Sequence, residues 1–277
     1  MGFKRKNSVW FGRSRLIWAI AFVLSLVIVA VAQAIVFAQS SATIPALPTA
    51  QIHPLPPTLA QWQDSQQSGD YFDQVQAVVV NYLVWSTFPV TVYIDPPTAA
   101  EQAYPFMGNR AKTWVTAVEK AVQEWNFYLP LKRVEQAEDA DIRIVRSPLP
   151  LRLDRRNQND ETRKLPIPRA RSAETRFELY AKKPIGAAAD GATSNQSSIL
   201  SHRVTVYIRP DQAADYLQAA ARHELGHALG IWGHSPQQTD ALYFSQVRNP
   251  AKISARDLNT LKCVYQQPTR LGWGLAN

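Results

Sequence analysis

Apolar positions along this chain change spacing several times, and the changes outline its elements. From Leu16 to Ala38 there is no alternation at all: the 23 residues LIWAIAFVLSLVIVAVAQAIVFA carry no charge. Residues 39–60 hold five prolines among small and polar residues with no sustained period, which predicts an extended spacer. A Gln-rich stretch runs to Asp70, and YFDQVQAVVVNYLVW after it is expected as a helix leading into a domain that begins near Trp85. Pro89–Ile94 is β-branched and aromatic, the composition of a strand, and Asp95-Pro96-Pro97 stops it. Trp114, Val118, Ala121, Val122 and Trp125 then recur at three- and four-residue steps, predicting an amphipathic helix between Arg110 and Tyr128. Short strands are expected at Leu131–Val134 and at Ala140–Val145, with Ile142 and Ile144 on one face. Phe177–Ala181 and Val204–Ile208 read as further strands around a Gly-, Ala- and Ser-rich loop. The Ala- and Leu-rich stretch from Ala213 to Leu229 reads as a second long helix ending at Gly230. No internal repeat is present.

Charge alters this outline mainly at the N-terminus. The chain of 277 residues carries a formal +8, but five of its 30 basic residues precede residue 39 and no acidic one does. The remainder of the chain has 25 basic against 22 acidic residues, an ordinary surface. Residues 147–176 contain eight basic residues, yet interspersed acids and the lack of aromatics predict a solvated loop and no nucleic-acid partner. The basic cluster before Leu16 marks the apolar run as a membrane-targeting segment, because about 20 apolar residues span a bilayer. Its length favours a retained transmembrane anchor, whereas Val36-Phe37-Ala38 before Gln39 has the small-residue pattern of a signal cleavage site. Either way the positive-inside rule places everything after Gln39 outside the cytoplasm. The expected organisation is therefore a basic N-terminus and anchor or signal at 1–38, a linker and lead-in helix at 39–84, and a catalytic domain at 85–270.

The candidate chemistry lies in HELGHALGIWGHS, which brings three of the five histidines into twelve residues. His223 and His227 are four apart in the predicted helix, so at about 100° per residue both rings share one face, one turn apart. That is close enough for one metal ion, and Glu224 beside them suits a base acting on water without itself being a ligand. A third ligand is needed, and beyond Glu224 the conventional candidates are His234, Asp240, Asp257 and Cys263. His234 is nearest, and the turn expected at Gly230 swings the chain back, so His234 is chosen with Asp240 in reserve. His53 is expected as a solvated spacer residue and His202 as a loop or strand-end residue. The single cysteine, Cys263, excludes an intrachain disulfide and is expected as a packed or surface thiol.

This run resembles the elongated zinc signature of the metzincins, and HELGHALG followed by His-Ser is particularly similar to the matrixins. The order of strand, Trp125 helix, ADIRI strand, zinc helix and the final SARDLNTLKCVY helix is similar too, over roughly residues 85–266. The resemblance implies an α+β fold, a metzincin-like catalytic domain with a twisted mixed sheet on two long helices plus a C-terminal helix. It also implies substrate pairing along the strand near Val204 to Ile208. Two positions depart from the family pattern. His234 follows Gly230 by four residues where the family has three, an excess that Gly233 is expected to absorb as a bulge. Leu242 stands where the family's turn beneath the metal has methionine, and is expected to supply the same apolar floor. No cysteine precedes the domain to hold it latent as in many matrixins.

The expected activity is that of a zinc-dependent endopeptidase cleaving extracytoplasmic proteins or peptides, with Zn2+ on His223, His227 and His234 and with Glu224 as general base. Tyr243 is a candidate for the oxyanion or a pocket wall. Calcium stays open without an acidic loop to support it. The alternatives are a noncatalytic zinc-binding protein and a membrane-tethered interaction module, and the oligomeric state is not encoded legibly.

Overall fold

In the computed structural model, residues 47–147, 172–183 and 197–275 are described. The proposed membrane segment 16–38 and most of the basic loop lie outside them, and no helix among the described residues is long and apolar enough to cross a membrane. The molecule is of mixed α+β type, with five strands and five α-helices among these residues.

The strands are β1 (Val90–Ile94), β2 (Leu131–Arg133), β3 (Ile142–Arg146), β4 (Ala173–Lys182) and β5 (Ile199–Ile208). They form one sheet in the order β2-β1-β3-β5-β4. All neighbours are parallel except β4, which runs antiparallel to β5 over ten paired positions. Ile142 and Ile144 are fully buried on one face, as their alternation predicts. The strand expected to receive substrate is a correction: β5 is flanked by β3 and β4 and has no free edge. Among the described residues β2 and β4 are the end strands, and β4, the one beside β5, is longer than its apolar centre suggested because the polar run Glu174-Thr175-Arg176 is part of it.

The helices are α1 (Pro57–Gln61), α2 (Ala99–Gln102), α3 (Pro105–Asn126), α4 (Ala214–Ala228) and α5 (Ala255–Tyr265). Helix α3 starts with proline at its first position, where no backbone donor is lost, and buries Trp114, Val118, Ala121 and Trp125. Trp125 donates its indole N–H to the Arg222 carbonyl of α4 at 2.8 Å. Beside it Arg222 makes a two-pronged ion pair with Glu124 at 2.5 and 2.8 Å. These contacts fix α4, the helix of the histidine motif, against α3.

Residues 47–85 differ most from expectation. Residues 47–60 are not a free spacer: Gln51 and Thr269 exchange backbone hydrogen bonds and Leu59 is fully buried. His53 is not simply solvated, since its Nε2 lies 2.8 Å from the Leu271 carbonyl and its ring stacks on Trp273. Residues 71–85 form a 3-10 turn at Phe72–Gln74 and then loops where a lead-in helix was expected. The run Val78–Val80 is β-branched and a poor helix former, and Asn81, at φ 71°, closes a tight turn with Val78. Burial of Val80, Leu83, Val84 and Trp85 outweighs the helical pattern.

His202 is likewise neither in a loop nor at a strand end. It sits within β5, buried, with its ring centroid 3.8 Å from that of Trp85, and burial pushes its imidazole down to about 3.

Candidate metal centre

The helix half of the site is set by periodicity. His223 and His227 project from the same face of α4, and their Nε2 atoms lie 3.2 Å apart. Each Nδ1 faces a backbone carbonyl: Ala241 O at 2.9 Å for His223 and Ile231 O at 2.7 Å for His227. A carbonyl can only accept, so each Nδ1 carries the ring proton and each Nε2 presents a lone pair. Two lone pairs at 3.2 Å repel unless a proton or a cation lies between them. Metal-binding histidines commonly have this backbone-anchored second nitrogen.

The loop half begins where α4 stops. Gly230 has φ 131°, and a Cβ there would fall 2.6 Å from the Leu83 carbonyl, so the chain can turn at this point only with glycine. His234 then returns to the helix, its ring centroid 5.2 Å from His223 and 4.8 Å from His227. One ring nitrogen from each of the three histidines lies within 4.8 Å of the others, close enough to hold one metal ion, and no other such cluster occurs among the described residues. The extra residue is therefore absorbed, but not through special backbone angles at Gly233, which lies outside the positive-φ region. Gly233 is needed for space: a Cβ there would collide with the Gln74 carbonyl oxygen.

Desolvation of the ring nitrogens by the surrounding protein holds two of the rings neutral, although His227 is only half-buried and His234 exposed. His227 is pushed well below the usual histidine range, first by desolvation and then by its two histidine neighbours. Desolvation, then His223, brings His234 down to about 4. Neutral imidazole is the form that binds metal, so neither ring must first lose a proton near pH 7.

Glu224, on the same helix, is buried, and its Oε2 accepts from Thr175 Oγ1 at 2.6 Å. Thr175 belongs to β4, so the sheet edge passes directly beside the carboxylate. Phe177, two residues along β4, meets Trp232 edge-to-face, and Trp232 in turn lies against His227. Leu242 is fully buried against Gly226 of α4, where a Cβ would come within 2.5 Å of it.

The remaining candidates have other employment. Asp240, the reserve ligand, is buried and accepts from Ser235 Oγ at 2.5 Å and from Arg256 Nε at 3.1 Å. Asp257 is buried under the 241–242 turn, accepting from Ala241 N, Ser254 N and Tyr71 Oη. Burial pushes the Cys263 thiol up, and the residue lies on α5. Tyr243 packs its ring on Phe244, 4.4 Å between centroids, and among the described residues no contact ties its hydroxyl to the histidines. Sequence reasoning missed Thr175, Tyr71 and Gln74, whose roles depend on partners far along the chain. The one local signal lay at Asp257, three residues after Ser254, the spacing of a helix capping box.

No protein-family model and no curated protein matches this chain.

Proposed function

We propose that the chain is a zinc-dependent endopeptidase of the metzincin kind, most similar to the matrixins, acting on extracytoplasmic proteins or peptides. The observation that carries the reading is the pair of Nε2 atoms 3.2 Å apart, each on a ring whose other nitrogen is already committed to a carbonyl. Four-coordinate zinc, with Zn–N bonds near 2.0–2.1 Å, separates two nitrogen ligands by about 3.3 Å, so the pair fits that ion. His223, His227 and His234 would hold it, leaving a fourth position open. When bound, zinc supplies Lewis acidity that polarises a peptide carbonyl and makes water more acidic.

The residues of the chain do the rest. Glu224 accepts the proton of the attacking water and returns it to the leaving amine, with Thr175 hydrogen-bonded to its carboxylate. Among the described residues β4 pairs with no strand on its outer side, and an extended peptide paired there would bring its scissile bond beside Glu224. Residues 16–38 would export or anchor this domain, which puts its substrates outside the cytoplasm.

The test is Glu224→Gln in the full chain, assayed for zinc content and for digestion of an unfolded protein substrate. Zinc retained with digestion reduced at least about 100-fold supports the reading. Undiminished, chelator-sensitive digestion contradicts the role of Glu224. A wild-type protein that holds zinc but digests nothing contradicts the peptidase.

A further inference from the structure

The segment Tyr71–Gln76 reaches the histidine cluster from two sides without supplying a ligand. On one side Tyr71 Oη donates to Asp257 Oδ1 at 2.5 Å, and Tyr71 N–H donates to Thr260 Oγ1 at 3.0 Å. The same Asp257 carboxylate accepts from the Ala241 amide at 2.8 Å, and it is the Ala241 carbonyl that accepts from His223 Nδ1. Hydrogen bonds joined through the backbone of Ala241 therefore connect Tyr71 to the first histidine. On the other side the Gln76 amide donates to the Trp232 carbonyl at 3.0 Å, and the Gln74 carbonyl occupies the space left by the absent side chain of Gly233. Trp232 and Gly233 lead directly into His234. Phe72 and Val75 seat the segment by packing on the main core.

We infer that Tyr71–Gln76 is a positioning strap for the metal centre, orienting His223 through Asp257 and the 241–242 turn, and fixing the path of the chain into His234. The inference rests on reading the three histidines as that centre. Its physical basis is the cost of a loop-borne ligand. A histidine on a helix has its backbone fixed by the helix, whereas the segment Gly230–His234 is a loop and would lose more conformational freedom on binding a metal. The strap makes that loss during folding, before the ion arrives. Groups that orient metal ligands from behind typically change affinity by about 10- to 100-fold when removed.

The test uses the full chain with Co2+, whose visible absorption reports coordination, and with Zn2+ in competition with a chromophoric chelator. Tyr71→Phe removes the hydroxyl and little else, and Gly233→Ala forces a methyl against the Gln74 carbonyl. We expect Zn2+ affinity to fall about tenfold or more for Gly233→Ala and about three- to tenfold for Tyr71→Phe. The cobalt spectrum of Gly233→Ala should shift at saturating metal, while circular dichroism shows both metal-free variants folded. Should Gly233→Ala fail to fold, Tyr71→Phe together with Tyr71→Leu decides the matter on affinity. Variants that melt lower without metal but bind both ions like the wild type, with an unchanged spectrum, would reduce the strap to a stabilising segment and overturn the inference. Wild-type protein that takes up no Co2+ would instead overturn the metal centre, and the strap with it.

Discussion

His223 and His227 stand on a helix, His234 on a loop, and the two halves of the cluster are held by different means. On α4 one turn of backbone sets the spacing of both rings, and each is oriented by a single carbonyl. On the loop, placement needs the left-handed turn at Gly230, the clearance at Gly233 and the bond from Gln76 to Trp232. The spacing of the helix half is local information, although the carbonyl that holds His223 comes from Ala241; the placement of the loop half is tertiary information. Each half should therefore fail in its own way when disturbed.

The largest effect is expected from the helix half. His227→Ala removes a half-buried ring of the cluster, carried on the helix, and should lower Zn2+ affinity by at least about 1000-fold, measured by chelator competition, with proteolysis lost alongside. His234→Ala should also weaken binding, but less, because this ring is exposed and its loop is the more adaptable half; about 100-fold is expected in the same titration. Equal losses from the two substitutions would erase the distinction between the halves.

The packing of Leu242 on α4 comes next. Leu242 is fully buried, and Leu242→Ala should destabilise the metal-free protein by about 2–5 kcal/mol in urea unfolding. Gly226→Ala pushes a methyl into the same leucine and should lower stability as well. If both variants unfold like the wild type, Leu242 is not the support described.

A histidine outside both halves supplies the comparison with no ligand role. His202 is held near 3 in the folded protein by burial, against about 6.5 when unfolded. Below pH 6.5 the unfolded chain gains a proton that the native chain does not, so stability is lost as pH falls from about 6.5 toward 3. His202→Leu should remove roughly 3 kcal/mol of the stability difference between pH 7 and pH 4, read by urea unfolding with metal chelated. An identical pH dependence in the two proteins would mean that His202 titrates normally when folded.

The same division governs what the residues reveal in advance. The three- and four-residue apolar stripe through Trp114 and Trp125 defines α3, and the four-residue step between His223 and His227 defines one face of α4, because helical periodicity is written locally. Strand order is not. Val204–Ile208 and Phe177–Ala181 both read as strands, and only the pairing of β5 with both β3 and β4 shows which one keeps an edge. Tyr71 lies 186 residues from the carboxylate that receives its hydroxyl, so a helical pattern around it carried no trace of that partner. Gly233 was legible as a needed glycine, but its reason, the Gln74 carbonyl, was not.

The central claim is that three histidines on two unlike elements hold one divalent ion. Elemental analysis of the purified full chain, saturated with Zn2+ and dialysed against metal-free buffer, tests it most directly. The account predicts about one zinc per chain, falling to background in His227→Ala; a wild-type protein that retains no more zinc than that variant would contradict it.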